Sequence, residues 1–92
     1  MSGTTLNAGD LDLRRRKLLF RAWHRGMREM DLLMGAFADA TLPGMNDGEL
    51  DEFEKIINYP DADLFQWLKG EKEIPTDYDL PLLRRFLAFR IL

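Results

Sequence analysis

The segment LDLRRRKLLFRAWHRGMREMDLLMGAFADATLPG, residues 11–44, decides the fold, because two helical patterns meet within it at a glycine. The first pattern predicts an amphipathic helix over residues 10–24, with Asp10 as its N-cap. Gly26 interrupts this pattern, and a second helix follows that ends near Thr41, before a Pro-Gly pair. The apolar positions that define the two helices recur at helical spacing: Leu11, Leu18, Leu19, Ala22 and Trp23, then Met27, Met30, Met34, Phe37 and Ala38.

Capping and stop signals mark a third helix after this pair. Asn46 is followed three residues later by Glu49, the spacing of a capping box. Tyr59 precedes Pro60, and the residue before a proline is pushed out of the α region, so the helix must end there. The buried face is predicted to consist of Leu50, Phe53, Ile56 and Ile57.

Two shorter helices complete the chain. Asp61 or Asp63 is expected to cap the fourth helix, and Gly70 is expected to end it. The last helix is predicted to begin at residues 76–77, with Pro81 tolerated in its first turn. Its apolar residues form two stripes: Leu80, Leu83, Leu87 and Ile91, and beside them Leu82, Phe86 and Phe89.

Length and composition bound the architecture. A chain of 92 residues has room for one core, and without cysteine it has neither a disulfide framework nor a thiolate. We therefore predict an all-α, compact single-domain bundle of five helices over residues 10–92, after a flexible N-terminal tail over residues 1–9. The uncharged apolar stretch at residues 32–38 is too short to span a membrane. With no leader-like start, a cytoplasmic location is expected.

Charge is distributed unevenly along the chain. Residues 11–29 carry seven basic and two acidic side chains, whereas residues 30–63 carry nine acids and one lysine. This dipolar surface favours a protein partner with a complementary patch. The basic run at residues 14–17 leaves a nucleic-acid-binding module as an alternative, but a pI near 5.1 favours a solvated helical face. Phe20 and Trp23, close to the run, have a spacing compatible with the core.

The sequence offers little for catalysis. His24 is the only histidine, and Ser2 in the tail is the only serine, so a nucleophile with a base within reach is not predicted. The carboxylates of residues 49–54 are interpreted as a solvated helical face, and no metal site is expected. We interpret His24 as a residue at a helix C-terminus, where positive charge is favoured.

Residues 25–29, RGMRE, are the most unusual stretch, because charged side chains surround a glycine where two helices meet. Gly26 has two compatible interpretations: a tight turn that only glycine can make, or a place where a partner's backbone comes close. Arg25 and Arg28 can donate bidentate hydrogen bonds, and Glu29 can orient one of them. We expect Arg25 and Glu29 to be exposed polar contacts.

A second stretch, residues 61–68, combines acids with large apolar side chains. Core packing is the favoured interpretation of Phe65 and Trp67, and helix capping that of Asp61 and Asp63. Taken together, the two stretches resemble the RGxxE signature and the second signature of the bacterial succinate dehydrogenase assembly factors, which promote flavinylation. The resemblance extends over residues 11–91.

The resemblance implies a five-helix chaperone that binds the flavoprotein subunit of succinate dehydrogenase, and in some bacteria that of fumarate reductase. That subunit joins its own histidine to FAD, and the factor holds it in a conformation where the reaction proceeds. Arg25, Gly26 and Glu29 are the signature positions, to which we add Arg28 on physical grounds. We expect neither catalytic residues nor a tightly bound cofactor. A general protein-interaction adaptor is a further alternative, since a fold alone does not fix function.

Overall fold

The computed structural model describes residues 11–89, which form five α-helices and no strand. The predicted all-α bundle of five helices is confirmed. The predicted flexible tail, residues 1–9, lies outside the described residues. No helix in the described part of the chain has the length and apolar character needed to cross a membrane. In chain order the helices are α1 (Leu13–Trp23), α2 (Arg28–Thr41), α3 (Asp47–Ile57), α4 (Asp61–Leu68) and α5 (Pro81–Ala88).

Helix α1 begins later than predicted, because its N-cap is Asp12. The Asp12 Oδ1 atom accepts a hydrogen bond from the backbone N–H of Arg15 at 2.8 Å, and the other carboxylate oxygen pairs with the Arg15 guanidinium at 2.6 Å. The backbone bond, with smaller contributions from the guanidinium, holds the pKa of Asp12 below its ordinary value. The prediction of Asp10 as the cap is therefore wrong.

A glycine in α2 sets how closely α1 and α2 pack. Gly35 is buried against the indole ring of Trp23, and a methyl group at this glycine would overlap the ring atoms. Trp23 lies in the core as predicted, and its Nε1 donates to Asp39 Oδ1 at 3.4 Å. The close approach of the two helices therefore depends on Gly35, a role that was not predicted from the sequence.

The centre of the core is an aromatic cluster around Phe37 of α2. Its ring lies 6.1 Å from that of Phe53 in α3, 5.4 Å from that of Phe86 in α5 and 5.5 Å from that of Phe89. The last two pairs pack edge to face, which is a favourable arrangement of aromatic quadrupoles. One cluster thus joins α2 to the elements that follow it.

The predicted capping box of α3 is confirmed. Asn46 Oδ1 accepts from the backbone N–H of Glu49 at 2.8 Å, and Glu49 Oε1 accepts from the backbone N–H of Asn46 at 3.0 Å. The helix ends at Ile57, shortly before Pro60, as the proline predicts. The four predicted core residues of α3 are all buried: Leu50, Phe53, Ile56 and Ile57.

The start of α4 corrects the sequence prediction. Pro60 occupies the N-cap position, without a side-chain hydrogen bond, and Asp61 is the first helical residue. The predicted caps Asp61 and Asp63 are therefore wrong, although both lie in the first turn, where the helix dipole favours negative charge. Gly70, with φ +73°, follows the helix end as predicted.

Helix α5 also starts later than predicted. Residues Thr76–Tyr78 form a separate 3₁₀ turn, and Leu80 is extended, as expected for a residue before proline. Pro81 then opens the helix at its first position. The backbone N–H of Leu82 donates to Glu52 Oε1 of α3 at 3.0 Å, so a side chain from another helix satisfies this end.

Candidate partner-binding site

The turn between α1 and α2 is built by Gly26 and Asp31. Gly26 has φ +103°, a backbone conformation that side-chain-bearing residues rarely adopt. Asp31, in the first turn of α2, accepts hydrogen bonds from the backbone N–H groups of Arg25 at 2.5 Å and Gly26 at 3.2 Å. A methyl group at Gly26 would have no neighbour within 4 Å. The glycine is thus required for the shape of the turn, whereas the space above it is open.

Arg25 points into the protein, so the expectation that it is an exposed contact is wrong. Its side chain is 7% exposed, and Nε donates to Asp61 Oδ1 at 2.7 Å. Its Nη1 and Nη2 atoms donate to the backbone carbonyls of Ile57 and Tyr59, both at 2.6 Å. Carbonyls after the last turn of a helix lack intrahelical partners and attract cations. Arg25 therefore ties the α1–α2 turn to the α3–α4 connection.

The solvent-facing part of the RGMRE stretch consists of Gly26, Arg28 and Glu29, all exposed. Within the described residues, Arg28 and Glu29 make no hydrogen bond or ion pair through their side chains, so the expectation that Glu29 orients an arginine is not met. Leu32, one helical turn further along α2, is 44% exposed. These four residues, Gly26, Arg28, Glu29 and Leu32, form what we call the signature surface.

The second stretch lies mostly inside the fold. Asp61 pairs with Arg25, and Asp63 accepts from Lys72 Nζ at 3.4 Å. Phe65 is half-buried, and Trp67 is 6% exposed, which confirms the core interpretation of Trp67. The side chains of residues 61–67 therefore act mainly in the structure of the domain.

Trp67 belongs to a cluster of three aromatic rings. Its ring lies 6.0 Å from those of Tyr59 and Tyr78, which are themselves 4.8 Å apart. Burial raises the pKa of Tyr59, and the nearby Tyr78 and Glu52 raise it further. The Tyr59 hydroxyl donates to the Tyr78 carbonyl at 3.2 Å. This cluster supports the carbonyl of Tyr59 that Arg25 binds.

His24 lies at the C-cap of α1, the position predicted for it. Its Nδ1 is 2.7 Å from the Phe20 carbonyl oxygen, and its ring stacks on that of Phe20 with centroids 4.0 Å apart. Across residues 11–89, no three histidine or acidic side chains are grouped in a way that could hold a metal ion. What the site offers is an exposed set of donors, acceptors and apolar groups at the start of α2.

Several residues of the site were missed or assigned differently by sequence reasoning. Leu32 is apolar at an exposed position, and the helical period alone could have placed it opposite the buried face of α2. By contrast, the pairing of Arg25 with Asp61 joins residues 36 positions apart and has no local signal. Both stretches were predictable from the sequence, but the contact between them was not.

Fold and site together define a small all-α domain, in which a buried arginine supports an exposed polar and apolar surface. Residues 16–90 match the sequence model of the family described as "Flavinator of succinate dehydrogenase". The chain belongs to this family.

The relatives carry consistent names. The chain is 42% identical over 78 residues to "FAD assembly factor SdhE" of Acetobacter pasteurianus, which covers 85% of this chain and 72% of the relative. It is 31% identical over 75 residues to "Succinate dehydrogenase assembly factor 2, mitochondrial" of Dictyostelium discoideum, covering 82% of this chain and 53% of the relative. A protein of the same name from Caenorhabditis elegans is 37% identical over 71 residues, with 75% and 60% covered. The chain thus spans little more than half of these two mitochondrial relatives.

Proposed function

We propose that this chain is an assembly factor that binds the flavoprotein subunit of succinate dehydrogenase and promotes the covalent attachment of FAD to it. Family membership and the name of the bacterial relative support this function. The observation that carries the proposal is the signature surface, whose Arg28 and Glu29 have no partner within the described part of the chain. Unpaired charged groups at the exposed start of a helix are available for a partner.

In this proposal the factor supplies positioning, and the flavoprotein carries out the bond-forming chemistry. Binding to one conformation of a mobile partner raises the population of that conformation, and orientation of the reacting groups can increase a rate substantially. The chain itself is proposed not to be an enzyme and to hold no tightly bound cofactor, so FAD belongs to the partner. We also propose that it acts in the cytoplasm.

Each member of the signature surface has a distinct part. Arg28 is proposed to donate a bidentate hydrogen bond to a carboxylate or carbonyl group of the partner, and Glu29 to accept from a partner donor. Leu32 supplies an apolar contact beside them. The open space at Gly26 lets the partner's backbone approach the turn. Arg25 is a positioning residue, because it fixes this turn against α3 and α4 rather than facing the partner.

The nucleic-acid alternative has less support. Of the basic run at residues 14–17, Arg14 is bonded to Asp51 and Glu54, and Arg15 to Asp12 and to backbone carbonyls. Half of the run is therefore occupied within the fold and unavailable to phosphates. A general adaptor would bind a partner but leave flavinylation unchanged.

Covalent flavin on the flavoprotein tests the proposal directly. In cells lacking the factor, we would express the wild-type chain or Glu29→Ala and measure in-gel flavin fluorescence of the denatured subunit. Wild-type chain should restore the fluorescence, and Glu29→Ala should leave it low. Glu73→Ala is the matched control, because Glu73 is also exposed but lies in the connection before α5. No gain of fluorescence with the wild-type chain would contradict the proposed function.

A further inference from the structure

Helix α1 carries an exposed apolar pair that the bundle does not use. Leu13 is 58% exposed and Phe20 is 62% exposed, so the core-compatible spacing of Phe20 did not predict its position. The two residues are seven positions apart, which places them on one helix face, about 10 Å from each other. A hollow of about 340 Å³ lies along this face. A contiguous exposed apolar surface can mark a protein interaction site.

Phe20 is held in its outward position. Its ring stacks on His24 with an angle of 17° between the planes, and His24 Nδ1 lies 2.7 Å from the Phe20 carbonyl oxygen. An aromatic group that is already ordered loses little conformational entropy when it binds. Phe20 thus has the properties of an anchor residue.

The charges beside this pair are free. Arg16 and Lys17 are exposed and form no ion pair within residues 11–89, whereas Arg14 and Arg15 are bonded inside the fold. No acidic residue lies within α1, so nothing on this helix neutralises them. Arg21 completes the lining of the hollow and bonds to Asn58. We call Leu13, Arg16, Lys17 and Phe20 the basic-aromatic surface.

We propose that the basic-aromatic surface is a second docking site for the flavoprotein subunit, and that it takes an acidic segment of that subunit which carries an apolar side chain. This inference rests on the proposed function and extends its contact area beyond the signature surface. Two free cations beside an apolar ridge match carboxylates that flank an apolar residue. The partner's apolar group fills the hollow between Leu13 and Phe20.

A second copy of the chain fits this surface less well. Three of the five acids of α3 are already engaged by arginines, since Asp51 and Glu54 bind Arg14, and Glu49 binds Arg85. They would have to break these contacts to reach another molecule. A polyanion also fits less well, because Arg14 and Arg15 are engaged within the fold and leave two cations of the basic run, whereas binding to a polyanion depends on several phosphate contacts.

The test compares Lys17, which belongs to the basic-aromatic surface, with Lys55, which lies on α3 outside it. We would measure the affinity of the full chain for the purified flavoprotein subunit lacking covalent flavin, at low and high salt. Lys17→Glu should weaken binding about tenfold and flatten the salt dependence, because it reverses a charge at the contact. Lys55→Glu is the matched control, since Lys55 is exposed and unpaired within the described residues but lies on α3. It should bind like the wild type.

Phe20→Ala tests the apolar part and should weaken binding about tenfold with an unchanged melting temperature. The inference is overturned if Lys17→Glu and Phe20→Ala bind like the wild type while Glu29→Ala binds weakly, an outcome that leaves the proposed function intact. It is also overturned if the two variants bind the subunit like the wild type and change only the oligomeric state of the chain, measured by analytical ultracentrifugation, or only its binding to phosphatidylglycerol vesicles. A wild-type chain that does not bind the subunit would contradict the proposed function itself.

Discussion

The two signature stretches of this protein differ in where their side chains go. Residues 25–29 expose Gly26, Arg28 and Glu29, whereas residues 61–67 turn Trp67 into the core. One contact joins them, from Arg25 in the first stretch to Asp61 in the second. The difference teaches that a sequence signature is not synonymous with a contact surface. Part of it shapes the protein, and part of it faces solvent.

The largest effect on stability is expected from Trp67→Ala, which tests whether the buried stretch, residues 61–67, acts through the core. Deleting this ring leaves a cavity beside Tyr59 and Tyr78, and such truncations typically cost about 3–5 kcal/mol. The free energy of unfolding, measured by urea denaturation, should fall by about that amount. A variant that unfolds like the wild type but no longer binds the flavoprotein would make Trp67 an interface residue.

The next largest effect is expected from Arg25→Ala. Its loss leaves the Asp61 carboxylate and two backbone carbonyls without their donor, and breaking a largely buried charged contact costs about 2–4 kcal/mol. Urea denaturation measures this cost, and Arg28→Ala is the matched control, with a change of about half a kcal/mol or less. Equal stabilities for the two variants would contradict the assignment of Arg25 to the fold and of Arg28 to the exposed surface.

Gly26→Ala should have a smaller effect, because it tests backbone shape alone. A side chain at φ +103° is strained, and we expect a loss of about 1–2 kcal/mol, measured as a lower melting temperature. Gly44→Ala is the control, since a methyl group there also meets open space, without a positive φ. Gly26→Arg adds bulk over the turn and should further reduce flavinylation. A Gly26→Ala variant as stable as the wild type would remove the requirement for glycine in the turn.

Glu29→Ala should change stability least, by about half a kcal/mol or less, because Glu29 is exposed and makes no side-chain contact within residues 11–89. Its effect should appear in partner binding, where losing one member of a desolvated charged pair costs about 2–5 kcal/mol. Calorimetric titration of the flavoprotein subunit measures the affinity, and thermal unfolding measures the stability. A large loss of stability would show that Glu29 contributes to the fold and would contradict its assignment to the exposed surface.

Much of the fold was predictable from local patterns. The α2 and α3 helices follow from apolar spacing, the Asn46–Glu49 capping box and Pro60, because each of these acts within a few residues. The errors lie at helix starts. Asp12 and Asp10 are both suitable caps by type, and only the geometry of the turn selects Asp12. At α5, the proline rule applied to Leu80 would have given the later start.

The candidate site was predictable only in part. The unusual RGMRE stretch and the helical period indicate an exposed patch at the start of α2. They do not distinguish the buried Arg25 from the exposed Arg28. The structure separates these two arginines, because one faces α3 and α4 while the other faces solvent. The same holds for Phe20 and Trp23, three residues apart on α1, of which only Trp23 is buried.

The sequence by itself determined the helical class, the approximate extent of the five helices and the family, because helical period, capping and motif spacing are local properties. Only the tertiary structure decided which charged groups are used inside the fold and which remain free. Arg25 with Asp61, and Arg14 with Asp51 and Glu54, join residues more than 35 positions apart. Such pairings depend on how the helices pack against one another, and packing brings together residues whose separation along the chain carries no periodic signal.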